Sequence, residues 1–426
     1  MSLYQKASLV QIPSGYKAAD DKLYSVVPNN GDGDFTVSVD ADATRVNKDG
    51  LIESVAADQA RLNYNFIDGV VQPDPHLLLE PTRRNLIDRS EEFNLWSDTG
   101  VTVTPNATIA PNGTNTADKL VSSANNWRRS KSFTAVSGTT YTYSIFAKLD
   151  TTTTTTTTQV EIFKGASGIT VDFDLSNKTI SGSGLTDAFI EEYPNDWYRI
   201  GGTYTSNGTN NIVYVYPSST YGIAGTMYFW GAQVEDDGAG GNATYPSSYI
   251  PTSGSAVTRT ADTCGDAGNS TIIKAEGSLF VDFTTSNTDN FKRIYIISNA
   301  DFNNSIFIQL RETSFAVQIV SGGTALYAWG FAITLSDRHK IALRYKDGDS
   351  QLYYNGTQQT VTTTSGTWFS EGLLNKFTFS ASSFFNFYGE VNQAMIFEAL
   401  TDSELEEITS YKSFGQMAKA LLYTIE

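Results

Sequence analysis

Short runs in which apolar and polar residues alternate recur along the chain, with turn residues between them. Ser8-Leu9-Val10-Gln11-Ile12, Phe35-Thr36-Val37-Ser38-Val39 and Tyr141-Thr142-Tyr143-Ser144-Ile145-Phe146-Ala147 all have this period of two. Such alternation predicts strands with one buried face. Leu77-Leu78-Leu79 is different, a continuous apolar run that predicts a short strand covered on both faces. Pro81 follows it, removing a backbone donor and biasing Glu80 towards an extended conformation, so no helix crosses this point. We read residues 77–87 as the anchor that ties the segment before them to the block after them.

The pattern divides the chain into five parts. Residues 1–87 form an irregular, polar leader that cannot bury much core alone and is suited to attachment or oligomerisation. Within it, Asn29-Asn30-Gly31-Asp32-Gly33-Asp34 reads as a solvated turn, since it lacks the distal glutamate and spacing of a calcium loop. Residues 88–255 carry nine candidate strands, at 101–104, 117–122, 129–133, 141–148, 160–163, 171–174, 197–204, 211–216 and 227–235. Many short strands with turns at regular spacing predict a sandwich or jelly roll. Thr151 to Thr158 is an unbroken threonine run with no apolar face, expected as an extended edge or loop. Residues 256–270, rich in Ser, Thr, Gly and Asp, form a linker.

Residues 271–412 are a second β block, with strands predicted at 277–283, 306–310, 315–320, 339–345, 351–354 and 388–397. Asn355-Gly356 suits a two-residue hairpin turn, because both positions tolerate positive φ. Thr401-Asp402-Ser403-Glu404 is a capping box that opens a short helix. Residues 413–426 form a tail with the spacing of a small amphipathic helix. The fold class is therefore all-β, tandem antiparallel β-sandwiches after an irregular leader.

Several motifs also carry a family resemblance. In order they are Arg45 to Glu53, Leu77 to Ile87, Glu92-Phe93-Asn94-Leu95-Trp96, Trp230-Gly231-Ala232-Gln233-Val234-Glu235, and Tyr245-Pro246-Ser247-Ser248-Tyr249-Ile250-Pro251-Thr252. As an ordered set they resemble bacteriophage virion proteins of the tail-fibre, head-fibre or spike type with lectin-like modules. The resemblance implies a carbohydrate-binding jelly roll over residues 88–255. The pattern from His339 through Tyr345, Asp347-Gly348, Leu352 and Asn355-Gly356 resembles concanavalin A-like, laminin-G-like sandwiches, with Arg338 where that group often has Trp.

Charge narrows the partners. Twenty-nine Lys and Arg against 46 Asp and Glu give a net charge of −17, which disfavours nucleic acid and anionic membrane surfaces. Cys264 is the single cysteine, so no intrachain disulfide or thiolate metal cluster forms; it reads as a small linker residue. No secretory signal and no run long enough to span a bilayer is apparent. These features suit a protein made in the host cytoplasm and carried on a virion surface.

Candidate chemistry is sparse. The two histidines, His76 and His339, read as structural, and no nucleophile elbow, phosphate loop or zinc spacing appears. Glu191-Glu192, Asp236-Asp237 and Glu404-Glu406-Glu407 are carboxylate groups that a glycosidase could use, but the first two pairs read as turns and the third as an exposed helix face. We assign no catalytic residue, cofactor or metal; calcium has no recognisable ligand set. Sugar binding needs aromatic rings beside polar groups. Trp127, Arg128 and Arg129 (after Asn125 and Asn126), together with Trp329 and Trp368, have that composition and are the glycan-binding candidates, whereas Trp96, Trp197 and Trp230 read as core. The expected protein is a non-enzymatic fibre, spike or capsid decoration protein. It would be a homotrimer by resemblance, with other virion proteins and host-surface polysaccharide as partners. A polysaccharide-depolymerising glycosidase and an architectural decoration protein without a ligand are the rival readings.

Overall fold

The computed structural model describes residues 3–13, 22–123, 127–219, 224–285, 292–298, 301–335, 337–381 and 385–411. The predicted tail helix lies outside these residues, as do Asn125 and Asn126.

The chain is all-β, with antiparallel pairing throughout the described strands and one α-helix among them. In the first sandwich an eight-stranded sheet is built around Thr140–Leu149, which pairs with Trp197–Thr205 on one side and Gly225–Asp236 on the other. A six-stranded sheet containing Arg128–Thr134, Asn210–Tyr216, Thr157–Phe163 and Gly168–Asp174 faces it. Alternate residues fill the space between, with Val160, Ile162, Val213 and Val215 from the smaller sheet meeting Tyr141, Tyr143, Ile145 and Ile200 from the larger. Each such side chain contributes roughly 1.5–3 kcal/mol by leaving water.

Both faces of Thr140–Leu149 are buried, where the alternation predicts one. The extra cover comes from the N-terminal segment, whose Val46 and Ile52 pack with Phe146, Trp230 and Tyr249 on the outer side of the sheet. The threonine run begins as a turn and enters the strand Thr157–Phe163, where Thr158 is buried and its hydroxyl donates to the Tyr216 carbonyl at 2.7 Å.

The second sandwich pairs a six-stranded sheet, including Asp301–Arg311, Ser314–Ser321 and Thr324–Ala332, with an eight-stranded sheet centred on Gly277–Thr284, His339–Tyr345 and Gly389–Phe397. Asn355 and Gly356 take φ of 46° and 81° between Gln351–Tyr354 and Thr357–Gln358, the two positive values that the hairpin requires. The helix Asp402–Ser410 is capped reciprocally by Thr401 and Glu404. It lays Leu405 and Ile408 on the outer face of this sheet beside Phe280 and Met395.

The leader buries little core of its own and is instead laced into the second sandwich by short strands. Ala7–Gln11 pairs with residues 394–397 of the last strand, and His76–Leu79 pairs with residues 389–391 of that same strand. Leu9, Leu23, Phe35, Leu77 and Leu79 join the second sandwich's core. The leucine triplet therefore anchors to the second sandwich, while Arg83–Asn85, four residues further on, pairs with Gly225–Asp236 of the first. The segment between belongs to both. Cys264 is likewise a core residue rather than a linker residue, fully buried on the strand Thr263–Gly265 beside Phe35–Ser38.

Candidate functional site

The crossing from one sandwich to the other is held by buried charge. The Glu80 carboxylate accepts from Arg61 Nη1 at 2.6 Å, Arg259 Nη1 at 2.7 Å, and the Ser248 backbone N–H and hydroxyl at 2.7 Å each. The other terminal nitrogen of Arg61 donates to Asp262, which also accepts the Glu80 N–H at 2.7 Å. Arg61, Arg259 and Asp262 are fully buried. Burial alone would raise the Glu80 pKa, but the Arg259 and Arg61 charges outweigh it and hold the carboxyl well below its usual range. Arg61 and Arg259 thus meet Glu80 and Asp262 in a buried cluster that joins residues 61, 80, 248 and 259–262.

Above this cluster lies a cleft of about 240 Å³ between the modules. Three parts of the chain line it. The N-terminal segment supplies Tyr64 and Phe66, the first sandwich supplies Glu191, Tyr193 and Arg199, and the second supplies Glu390. The Phe66 and Tyr193 rings lie 4.5 Å apart, and Tyr193 meets Phe146 edge-on at 5.0 Å. Glu191 is open to the cleft, yet the surrounding protein desolvates its carboxyl and raises its pKa. Arg199 opposes that rise and the Glu390 charge adds to it. Glu390 accepts from Thr284 Oγ1 at 2.8 Å and Asn65 Nδ2 at 3.1 Å. His76 Nε2 lies 3.5 Å from Glu390, but burial lowers the imidazole pKa despite that neighbour, which favours the neutral ring.

Four of the five motifs of the ordered set converge on this junction, while Glu92 to Trp96 packs Phe93 and Trp96 into the first sandwich's core. Arg45 lines the cleft and is ion-paired with Glu53 at 2.8 Å. Glu80 and Ser248 form the charged floor, and the Trp230 and Tyr249 rings pack 4.4 Å apart beside it. Stretches 45–53, 77–87, 230–235 and 245–252 are far apart in sequence and adjacent in space.

The sequence candidates lie elsewhere. Trp127 is half-buried against the first sandwich, its ring over Gly100, where a Cβ would meet it at 2.2 Å. Arg128 stacks over Tyr214, 4.2 Å from the ring centroid, and donates to the Tyr216 hydroxyl at 2.7 Å. Arg129 points inward to the Trp96 and Val101 carbonyls at 3.1 and 2.5 Å, so its guanidinium is structural. Trp329 is 2% exposed in the second core and offers no open ring face. Trp368 is half-buried, its indole N–H donating to the Ala275 carbonyl at 3.0 Å. Tyr327 stands 6.1 Å from each of the last two rings. Trp96, Trp197 and Trp230 are core, as read.

Sequence reasoning missed the cleft. Glu191 lies on the strand Thr186–Tyr193, not in a turn, and Asp236 is buried at the end of Gly225–Asp236, paired with Arg84. The alternation Asn63-Tyr64-Asn65-Phe66 was the available signal for the aromatic wall. Among the described residues no group of three or more His, Cys, Asp or Glu could hold a metal ion, and no helix is long and apolar enough to cross a membrane.

No protein-family model matches the chain, and no curated protein matches it in sequence. Solved structures of similar shape include three of different origin. The CBM40 of the Ruminococcus gnavus IT-sialidase is 12% identical with a TM-score of 0.28, over 34% of this chain and 93% of that one. Domains LG4-5 of the mouse laminin alpha1 chain are 9% identical with a TM-score of 0.24, over 73% and 91%. A tail fibre protein of an E. coli phage is 11% identical with a TM-score of 0.21, over 76% of this chain and 42% of that one.

Proposed function

We propose that this chain is a structural component of a bacteriophage particle, a fibre, spike or decoration protein, that attaches to host-surface glycans through its β-sandwiches. The observation that supports this reading best is the cleft. Its rings, carboxylates and arginine are the groups that hold a sugar by its apolar face and its hydroxyls, and four of the five motifs that carry the sequence resemblance assemble around it. The protein acts without bond breaking. Each site binds weakly, and repeated copies on one particle convert weak contacts into useful avidity through high effective concentration. A homotrimer, contacting other virion proteins and displayed at the virion surface, is the assembly that fits.

The test is a glycan array probed with the intact chain, together with electron microscopy of labelled particles. Binding to host polysaccharide and label on a projecting structure support the reading. Release of reducing ends from that polysaccharide would replace the adhesin with a depolymerase. An empty array, together with particles that adsorb normally when the cleft is altered, would leave an architectural protein.

A further inference from the structure

We propose that the cleft is a composite site for an uncharged, polyhydroxylated sugar, complete only where the N-terminal segment and both sandwiches meet. This rests on the glycan-binding reading above and names the ligand class and the residues that select it.

The first observation is a guanidinium in the cleft wall. Arg199 is 6% exposed and lines the cleft. Its Nη2 donates to Ser144 Oγ at 3.0 Å and to the Ser247 carbonyl at 2.7 Å, which fixes the group there. The second observation is the acceptors on the same lining. Glu191 and Glu390 come from different sandwiches, and the Tyr193 hydroxyl interacts with both Glu191 and Arg199. A hydroxyl both gives and takes a hydrogen bond, so neighbouring sugar hydroxyls match a wall that carries a donor and acceptors together. Phe66, half-buried at the cleft wall, supplies the apolar surface for the ring's C–H face.

Charge decides between sugar classes. Arg45 is paired with Glu53, while Arg61 and Arg259 beneath the cleft are balanced by Glu80 and Asp262. The lining therefore has no cation to spare beyond Arg199 among the described residues. A uronate or sialate would bring a third carboxylate next to Glu191 and Glu390, where like charges repel. The volume of about 240 Å³ lies under the roughly 300–1,000 Å³ of drug-sized pockets, which favours one or two sugar rings over a long chain.

The test uses the full chain and four probes, lactose and N,N′-diacetylchitobiose as neutral sugars, α2,3-sialyllactose and digalacturonate as acidic ones. Binding is read by saturation-transfer NMR and calorimetry, with thermal unfolding as a check on the fold. Neutral sugars are expected to bind and acidic ones not. Glu191→Gln with Glu390→Gln should weaken binding at least tenfold, as should Phe66→Ala, at unchanged melting temperature. Should a variant unfold, chemical-shift changes on the wild-type chain serve instead, and they must fall on residues 64–66, 191–199 and 390. Acidic sugars binding as well as neutral ones, or binding that ignores these substitutions and shifts, would overturn the inference and leave the glycan reading standing. If no sugar binds and none blocks adsorption to host cells, the glycan reading falls as well.

Discussion

Glu80→Gln tests the junction directly. The substitution keeps the shape of the side chain and removes one buried negative charge. Arg61 and Arg259, both fully buried, then face Asp262 alone. Breaking a buried ion pair by removing one partner costs about 3–5 kcal/mol, because the remaining charge stays desolvated. Unfolding entropy of roughly 2.1 cal/mol/K per residue over 426 residues gives about 0.9 kcal/mol/K. If the chain unfolds as one unit, the melting temperature should fall by about 3–6 °C at pH 7. The pH dependence has a definite sign. The Glu80 carboxyl is held below its unfolded value of 4.5, so its contribution is complete above that pH and is lost as pH falls towards the folded value. The gap between wild type and variant should therefore be full at pH 7 and narrow below pH 4.5. Differential scanning calorimetry across pH 3–8 measures both. A variant within 1 °C of wild type at pH 7, or a gap that widens in acid, would show that the charges do not join the modules as argued.

Two further outcomes follow from local geometry. Gly231 has φ of 62° at a bulge where the register slips between Ser144 and Phe146, and a Cβ there would meet the Phe146 ring at 3.0 Å. Gly231→Val should cost at least the roughly 1–2 kcal/mol of a left-handed residue, read as a lower denaturation midpoint; an unchanged midpoint would mean that the bulge relaxes freely. Burial pushes the Cys264 thiol above its ordinary pKa, so a thiol reagent at pH 8 should label it only as fast as the chain opens; prompt labelling of the folded protein would contradict its place in the core.

What the sequence disclosed depended on how local the cause was. His339–Tyr345, Gln351–Tyr354 and the Asn355-Gly356 turn were legible because alternation and turn chemistry act over a few residues. Thr401 and Glu404 announced their helix for the same reason. The partner of Leu77-Leu78-Leu79 was not legible, since it lies more than 300 residues away at Gly389–Val391 and a continuous apolar run does not say which sheet covers it. Thr186–Tyr193 was hidden by its irregular pattern and by the turn beside it, where Asn195 and Asp196 both take φ of 61°. With that strand unread, Glu191 looked like a turn residue. The tryptophans misled in the opposite direction, because an indole beside polar residues has the same composition whether it faces water, as a lectin needs, or the core, as Trp329 does.

The pairing of Ala7–Gln11 with Phe397–Ala394 has a kinetic meaning. On the ribosome, this strand has no place in its final sheet until nearly four hundred more residues have been made. Such long-separation contacts slow folding, because the loop must close before the contact rewards it. The 88–255 sandwich, whose strands find partners within their own stretch, is free to form during that wait. The other module can be sealed only once residues 389–397 have been made, by returning to a strand translated long before.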